Sequence, residues 1–308
     1  EALGEMISLF ESDSLIEEVR NIASYVKYLI AEENYKPSQI CICTRKIEKY
    51  SEIFREVFRQ YRIPMNLSDR FALAQSPLIN AIFSILNTIS EEYKIEDVHK
   101  TLSSNYISME SDIDVTNLYE IARMNRISGG KRQGGKTYWL RAFEQRMQLL
   151  KNQIRDLERG VAQDAMQLFD KKTELNNTQK AYEDIKKVFK ELPQIARSQS
   201  PSDFSRLLKA EIIKKFKIRE KIIESYLAAK EEQYNNLVEK NYVFEDLERD
   251  SRALAELLKL LDELVFILEE RYPKQSFPLD EYINKLKNTV IGAKYQISEK
   301  QGYGVEVT

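Results

Sequence analysis

GGKRQGGKT, residues 129–137, satisfies from Gly130 to Thr137 the pattern G-x-x-x-x-G-K-S/T of nucleotide-binding phosphate loops. A phosphate loop is delivered by a buried strand and followed directly by a helix whose N-terminal N–H groups face the anion, so it implies a parallel sheet around residue 130. Upstream stands NLYEIARMNRIS (117–128). Leu118, Ile121, Ala122 and Met124 keep helical spacing there, and Arg123, Asn125 and Arg126 are too polar for a central parallel strand. A helix after Thr137 fits the pattern, but the strand is missing. No acidic strand end suited to Mg²⁺ lies nearby in the sequence. Residues 129–137 therefore read as a flexible basic loop inside a helical region, with a P-loop ATPase as the disfavoured alternative.

Working outward, the helical region is long. Phe143, Met147, Leu150, Ile154, Leu157 and Val161 follow a 4-3-4-3-4 spacing, a heptad seam. A looser stripe returns in Ala181, Ile185, Val188 and Leu192. One helix is expected over 138–170, about 50 Å long at 1.5 Å per residue. A junction near Asn176-Asn177 would make the two stripes an antiparallel hairpin arm; an intermolecular coiled coil is the alternative. Almost everything from 78 to 297 reads as helix without a convincing strand. Ser200-Pro201-Ser202 offers a cap before Phe204, Leu207 and Leu208, and a helix over 246–272 carries Leu254, Leu257, Leu258, Leu261 and Leu264. Pro278 opens the last helix.

The first 76 residues differ in character. Ser14 with Glu17 forms a capping box before Leu15, Val19, Ile22, Val26 and Leu29. The strand-like Ile40-Cys41-Ile42-Cys43, a second helix through Phe54 and Val57, and an extended piece at Ile63-Pro64-Met65 follow. Helix, strand, helix, strand is part of an α/β layer. Val305-Glu306-Val307 closes the chain as a strand after Gly302 and Gly304.

Composition excludes several classes. The chain has 308 residues, 31% charged and 43% hydrophobic, with a net charge of −2, so any attraction to nucleic acid must come from local clusters. No apolar run reaches the roughly 18 residues of a membrane span and no secretory signal opens the chain. Cys41 and Cys43 read as small core hydrophobes of a cytoplasmic protein. His99 is the single histidine, which argues against a Ser–His–Asp triad and a multi-histidine metal centre; a helix-surface role suits it better. An opening on Glu1 and an end in GVEVT read as an excised fragment.

Charge is local. From Arg123 to Arg159 ten basic residues stand against Glu144, Asp156 and Glu158, and a second basic stretch spans Lys209 to Lys221. Lys and Arg on a glycine-rich loop suit contact with a phosphate backbone without base reading, and a solvated helix face is the competing explanation. Tyr138 and Trp139 could stack on a base, but the one tryptophan fits an anchor at the helix start better.

The run from Ser14 to Leu86 resembles the second motor domain of superfamily I DNA helicases of the UvrD/Rep type, and more closely the subunits of AddAB/RecBCD-type helicase-nucleases. The resemblance rests on the Glu17-Glu18-Val19 helix, on Pro37-x-x-Ile40-x-Ile42-x-x-Arg45, on Arg62-Ile63-Pro64 and on Ser76-Pro77-Leu78-Ile79 opening a long helix. GYGVEVT resembles the strand before the family's next motif. The likeness covers residues 14–90 and 298–308, and the middle only by position. It implies a mainly α fold. In that fold, 1–76 with 298–308 would be part of a RecA-like motor domain, the 2A domain, interrupted by a helical 2B-type insertion over 77–297. It departs from the pattern at Ile47, where such motors carry a DNA-contacting Asn, and in NYISMES (105–111), where a Gly-Ile-Gly duplex motif would stand. Both departures fit a subunit whose motor is altered or whose partner does the translocating.

The resemblance implies a piece of an ATP-dependent DNA helicase or helicase-nuclease of repair or recombination. Non-sequence-specific DNA contact is expected at Arg126, Lys131, Arg132, Lys136 and Arg45. The alternative is a module that docks a second subunit through the 138–192 arm at Leu150, Ile154 and Leu157. No catalytic residue, metal or cofactor is expected in this segment. ATP and Mg²⁺ belong to the full-length protein, and no membrane is expected as a partner.

Overall fold

The computed structural model of the chain describes residues 9–68, 70–159, 165–196, 198–231, 237–296 and 304–308. The fold is mainly α, with short strands gathered in small sheets. It divides into two compact units, one of residues 1–72, 226–252 and 294–308, the other of 73–225 and 253–293.

The first unit begins with α1 (Leu15–Ala31), whose Ser14 hydroxyl accepts the Glu17 N–H as the capping signature predicts. Then come β1 (Cys41–Ile42), α2 (Ile47–Tyr61), β2 (Met65–Leu67) and β3 (Phe71–Ala72). Two more strands, β6 (Lys294–Tyr295) and β7 (Val305–Val307), come from the far end of the chain and are numbered in chain order. β7 lies between β1 and β2 and runs parallel to both, with Ile42 opposite Val307 and Met65 opposite Val305. The opening and closing segments thus build one sheet although more than two hundred residues separate them in sequence. Val305 and Val307 are fully buried with Val19, Ala23, Phe54, Val57 and Phe58 of α1 and α2. Gly304 permits the approach, because a Cβ there would stand 2.8 Å from the Met65 carbonyl carbon. β3 pairs antiparallel with β6, so the points where the chain leaves and re-enters this unit are hydrogen-bonded neighbours.

The cysteines do not join the core. Strand alternation places both on one face, as expected, but Ile40 and Ile42 take the covered face and both thiols are exposed, with their sulfurs 3.8 Å apart. Period-two patterning fixes which residues share a face; what packs on that face is a tertiary matter.

The second unit is helical. Its centre is α3 (Pro77–Ser90), capped by Ser76 and apolar nearly all round, hence buried through Leu78, Ile79, Ile82, Ile85 and Leu86. α4 (Ile95–Leu102) packs on it, followed by α5 (Val115–Met124), α6 (Gly135–Arg159) and α7 (Ala165–Glu191), with α5 against α4 and α7 and α6 against α7. After β4 (Ser198–Gln199) come α8 (Pro201–Arg206) and a π-helical segment over Leu207–Lys214, then α9 (Ile218–Glu231) and α10 (Leu237–Arg271), of which residues 226–252 belong to the first unit. β5 (Phe277–Pro278) and α11 (Leu279–Gly292) complete the order. Among the described residues the stretch expected to lack strands holds three short ones: β6, which pairs with β3, and the antiparallel pair of β4 with β5. The latter pair is closed by Tyr282, which stacks on Phe204 and donates its hydroxyl to the Gln199 carbonyl at 2.9 Å.

The hairpin arm is present, with its turn elsewhere. α6 ends at Arg159 and α7 begins at Ala165, so Asn176-Asn177 lie inside α7. Residues 160–164, including Val161 of the expected seam, and the expected boundary at 297/298 fall outside the described residues. No described helix is long and apolar enough to cross a membrane.

Candidate nucleic-acid interface

The loop between α5 and α6 is built by left-handed turns. Arg126, Gly129, Gly130, Gly134 and Gly135 all have positive φ, and Lys131–Gln133 form a single 3₁₀ turn. A helix precedes it, as the spacing of Leu118 and Ile121 predicts. Three of its N–H groups are engaged inside the protein: Gly130 donates to the Glu92 carbonyl at 3.1 Å, Gln133 and Gly135 to the Gly130 carbonyl. An anion cradle needs those donors free. The loop is pinned instead by Trp139, fully buried, whose indole N–H donates to the Tyr93 carbonyl at 2.8 Å. The tryptophan is an anchor.

The expected DNA contacts separate into two kinds. Lys136, where a phosphate loop would place its phosphate-gripping lysine, is half-buried. Its Nζ donates to the Phe189 carbonyl at 3.1 Å and lies 4.8 Å from the Tyr93 ring centre, and burial lowers its pKa. Lys131 reaches Glu91 at 3.6 Å and Asp280 at 3.7 Å. Arg126 and Arg132 are exposed, and no partner engages them among the described residues. Arg45, in the first unit just beyond β1, is likewise exposed and unengaged.

The expected docking seam is consumed within the chain. Leu150 is fully buried, Ile154 is buried and Leu157 half-buried, and the opposing α7 buries Thr178, Ala181, Ile185 and Val188. Arg146 pairs with Glu174, and the Tyr182 hydroxyl donates to Glu144 at 2.8 Å, tying the two helices in antiparallel register. Burial alone would raise the Glu174 carboxyl, but hydrogen bonds from Arg146 and Lys171 outweigh it and hold the group below the ordinary glutamate value. No metal-binding cluster of His, Cys, Asp or Glu occurs among the described residues.

Counting charges along the sequence missed which cations are available. Of the basic residues from 123 to 159, Lys131, Lys136 and Arg146 have carboxylate or carbonyl partners, and Arg123 lies over the Tyr119 ring at 5.6 Å. Arg141, Lys151, Arg155 and Arg159, on α6, are exposed without partners among the described residues. The helical period of the arginines was the signal that could have singled them out.

No protein-family model matches the chain. It is similar to an ATP-dependent helicase/deoxyribonuclease subunit of Alkaliphilus metalliredigens, 23% identical over 279 residues, which is 90% of this chain and 22% of that protein. A protein of the same description from Thermoanaerobacter sp. is 26% identical over 144 residues, 47% of this chain and 12% of the relative. One from Clostridioides difficile is 28% identical over 127 residues, covering 41% and 11%. The chain thus spans about a fifth or less of the length of these relatives.

Proposed function

We propose that this chain is a segment of a subunit of an ATP-dependent DNA helicase-nuclease of repair or recombination, and that the segment holds DNA by its phosphates. The observation that carries the reading is the similarity to a helicase/deoxyribonuclease subunit over 90% of the chain. The closing strand's place between β1 and β2 supports it further, since an α/β layer interrupted by helices is what the helicase resemblance implies. In this reading residues 1–76 and 298–308 belong to a RecA-like 2A domain and 77–297 to a 2B-type insertion. ATP and Mg²⁺ act in the full-length protein, and a second subunit completes the assembly. Arg126, Arg132 and Arg45 meet phosphate directly. Lys131 joins them by exchanging its exposed carboxylate partners, which costs little at the surface. Lys136 fastens the loop.

The test is a salt titration of binding to labelled duplex and single-stranded oligonucleotides. Affinity should fall steeply with salt, and Arg126→Gln/Lys131→Gln/Arg132→Gln should flatten the slope by up to about 0.9 per lost phosphate contact on duplex. Absence of DNA binding at about 50 mM salt, where phosphate contacts are weakly screened, would sink the reading. Docking of a partner protein is the second reading. It is favoured by exposed Leu149, Met166 and Phe169 on the arm, and it uses those residues in place of the buried Leu150 and Ile154.

A further inference from the structure

The outward face of α6 carries a charge pattern that packing does not account for. At 100° per residue, Arg141, Gln145, Gln148, Asn152, Arg155 and Arg159 fall within about 40° of one line along the helix. The buried Trp139, Phe143, Leu150 and Ile154 lie on the opposite side. All six are exposed. The three arginines have no partner among the described residues, and the amides touch only one another, Gln148 donating to Asn152 at 3.4 Å. No carboxylate stands in the stripe.

The nearest carboxylates are mostly committed elsewhere. Glu144 accepts the Tyr182 hydroxyl, and Glu158 pairs with Lys172 at 2.8 Å. Exposed Asp156 flanks the stripe on one side, and exposed Lys151 offsets it on the other. A solvated helix face ordinarily mixes signs and satisfies its cations with i, i+4 carboxylates, as Lys285 with Glu281 and Arg252 with Glu248 do here. This face holds guanidinium and amide groups instead, the side chains that bond phosphate and sugar without reading bases.

We propose that this face of α6 tracks the phosphate backbone of DNA. From Arg141 to Arg159 it runs about 27 Å at 1.5 Å per residue, the length of about eight base pairs at 3.4 Å each. Charge complementarity selects the occupant: the line has three arginines without partners among the described residues, neutral donors between them and no carboxylate of its own. The inference rests on the DNA-binding reading above and deepens it by moving the main contact from the glycine-rich loop to the helix that follows it.

The experiment compares the chain with Arg141→Gln/Arg155→Gln/Arg159→Gln. A control with equal charge loss elsewhere is Lys100→Gln/Lys190→Gln/Lys274→Gln. Circular dichroism should show all three equally folded, since every substituted side chain lies at the surface. Binding of labelled duplex and single-stranded oligonucleotides is then measured from about 50 to about 200 mM salt. Loss of three phosphate contacts should lower the log–log salt slope by about 2.7 on duplex, or about 2.1 on a single strand. Across that fourfold range, the unsubstituted chain should lose roughly 40-fold or 20-fold more affinity than the variant. A slope change near the expected value on one probe with none on the other identifies the strand state of the ligand.

If the unsubstituted chain binds DNA and the stripe variant keeps the control's slope on both probes, the inference falls while the functional reading stands. If the unsubstituted chain binds neither probe, the functional reading falls and takes the inference with it. A variant that keeps DNA binding but loses affinity for polyglutamate would give the face to an acidic protein surface and overturn the assignment to DNA.

Discussion

Replacing Gly129 with alanine tests whether the glycine-rich loop is a structural joint. Gly129 has φ +63°, and an added Cβ would fall inside contact distance of both the Tyr93 carbonyl oxygen and Trp139 Nε1. These two atoms are the acceptor and donor of one buried hydrogen bond at 2.8 Å. The left-handed backbone costs an alanine about 1–2 kcal/mol. The Tyr93 carbonyl belongs to the main chain, so the indole must yield, and losing that bond in a buried place costs about 1–3 kcal/mol more. The sum, about 2–5 kcal/mol, should lower the melting temperature by roughly 4–20 °C for a folding unit of this size.

Trp139 is the sole tryptophan of the chain, so its fluorescence reports this site without interference. Gly129→Ala should shift the emission to the red together with the drop in melting temperature. Gly134→Ala is the matched control: φ is +87° and an added Cβ meets nothing within 4 Å, so only the backbone cost of about 1–2 kcal/mol remains. Equal melting of the two variants, with unchanged emission from Gly129→Ala, would refute the account of the loop as a joint pinned by Trp139.

Three further outcomes follow from the same geometry. Leu150→Ala should destabilise the chain by about 2–5 kcal/mol in urea unfolding, whereas exposed Leu149→Ala should stay within about 0.5 kcal/mol; similar values for both would mean the seam is not closed within the chain. The Glu174 carboxyl is held below its ordinary value of 4.5, so its ion pairs stabilise the hairpin above that pH and are lost as pH falls through the lowered folded value. Glu174→Gln should therefore flatten acid unfolding below pH 4.5, and an unchanged acid limb would contradict the pairing. Finally, Cys41 and Cys43 should both react with an aromatic disulfide reagent in the native chain without denaturant, at rates that unfolding agents barely change; protection of either thiol would return it to the core.

Much of the architecture is legible in local chemistry. Ser14, Ser76 and Ser200 each cap the helix that the sequence starts there, because a cap is a contact between residues three apart. The pairing of residues 41–42 with 305–307 is not local, and periodicity could not supply it; only the resemblance of the two flanks to one interrupted domain suggested it. The cysteine face failed for the same reason: alternation is local, coverage is not. Asn176-Asn177 read as a turn along the chain, yet both lie inside α7. Inside α7 the Asn177 carbonyl accepts the Asn117 side-chain amide, a tertiary contact invisible along the chain.

Among candidate site residues, the sequence supplied charge and the fold decided availability. A pattern such as G-x-x-x-x-G-K-S/T specifies residue types, and a helix-to-helix connection through left-handed turns demands the same types. Glycines are needed wherever φ is positive without strain, and a lysine with a long apolar stem can seal the cleft between Tyr93 and Phe189. A phosphate cradle differs in where its N–H groups point, and here those of Gly130, Gln133 and Gly135 point at Glu92 and back into the turn. The same logic runs the other way on α6. Arg141, Arg155 and Arg159 match no motif, yet like Arg126 and Arg132 they have no counter-charge among the described residues, and unpaired charge is what a polyanion can pair with. The loop that resembles a nucleotide site is a helix-to-helix joint pinned by Trp139, and the arginines proposed to track phosphate stand on the helix that follows it.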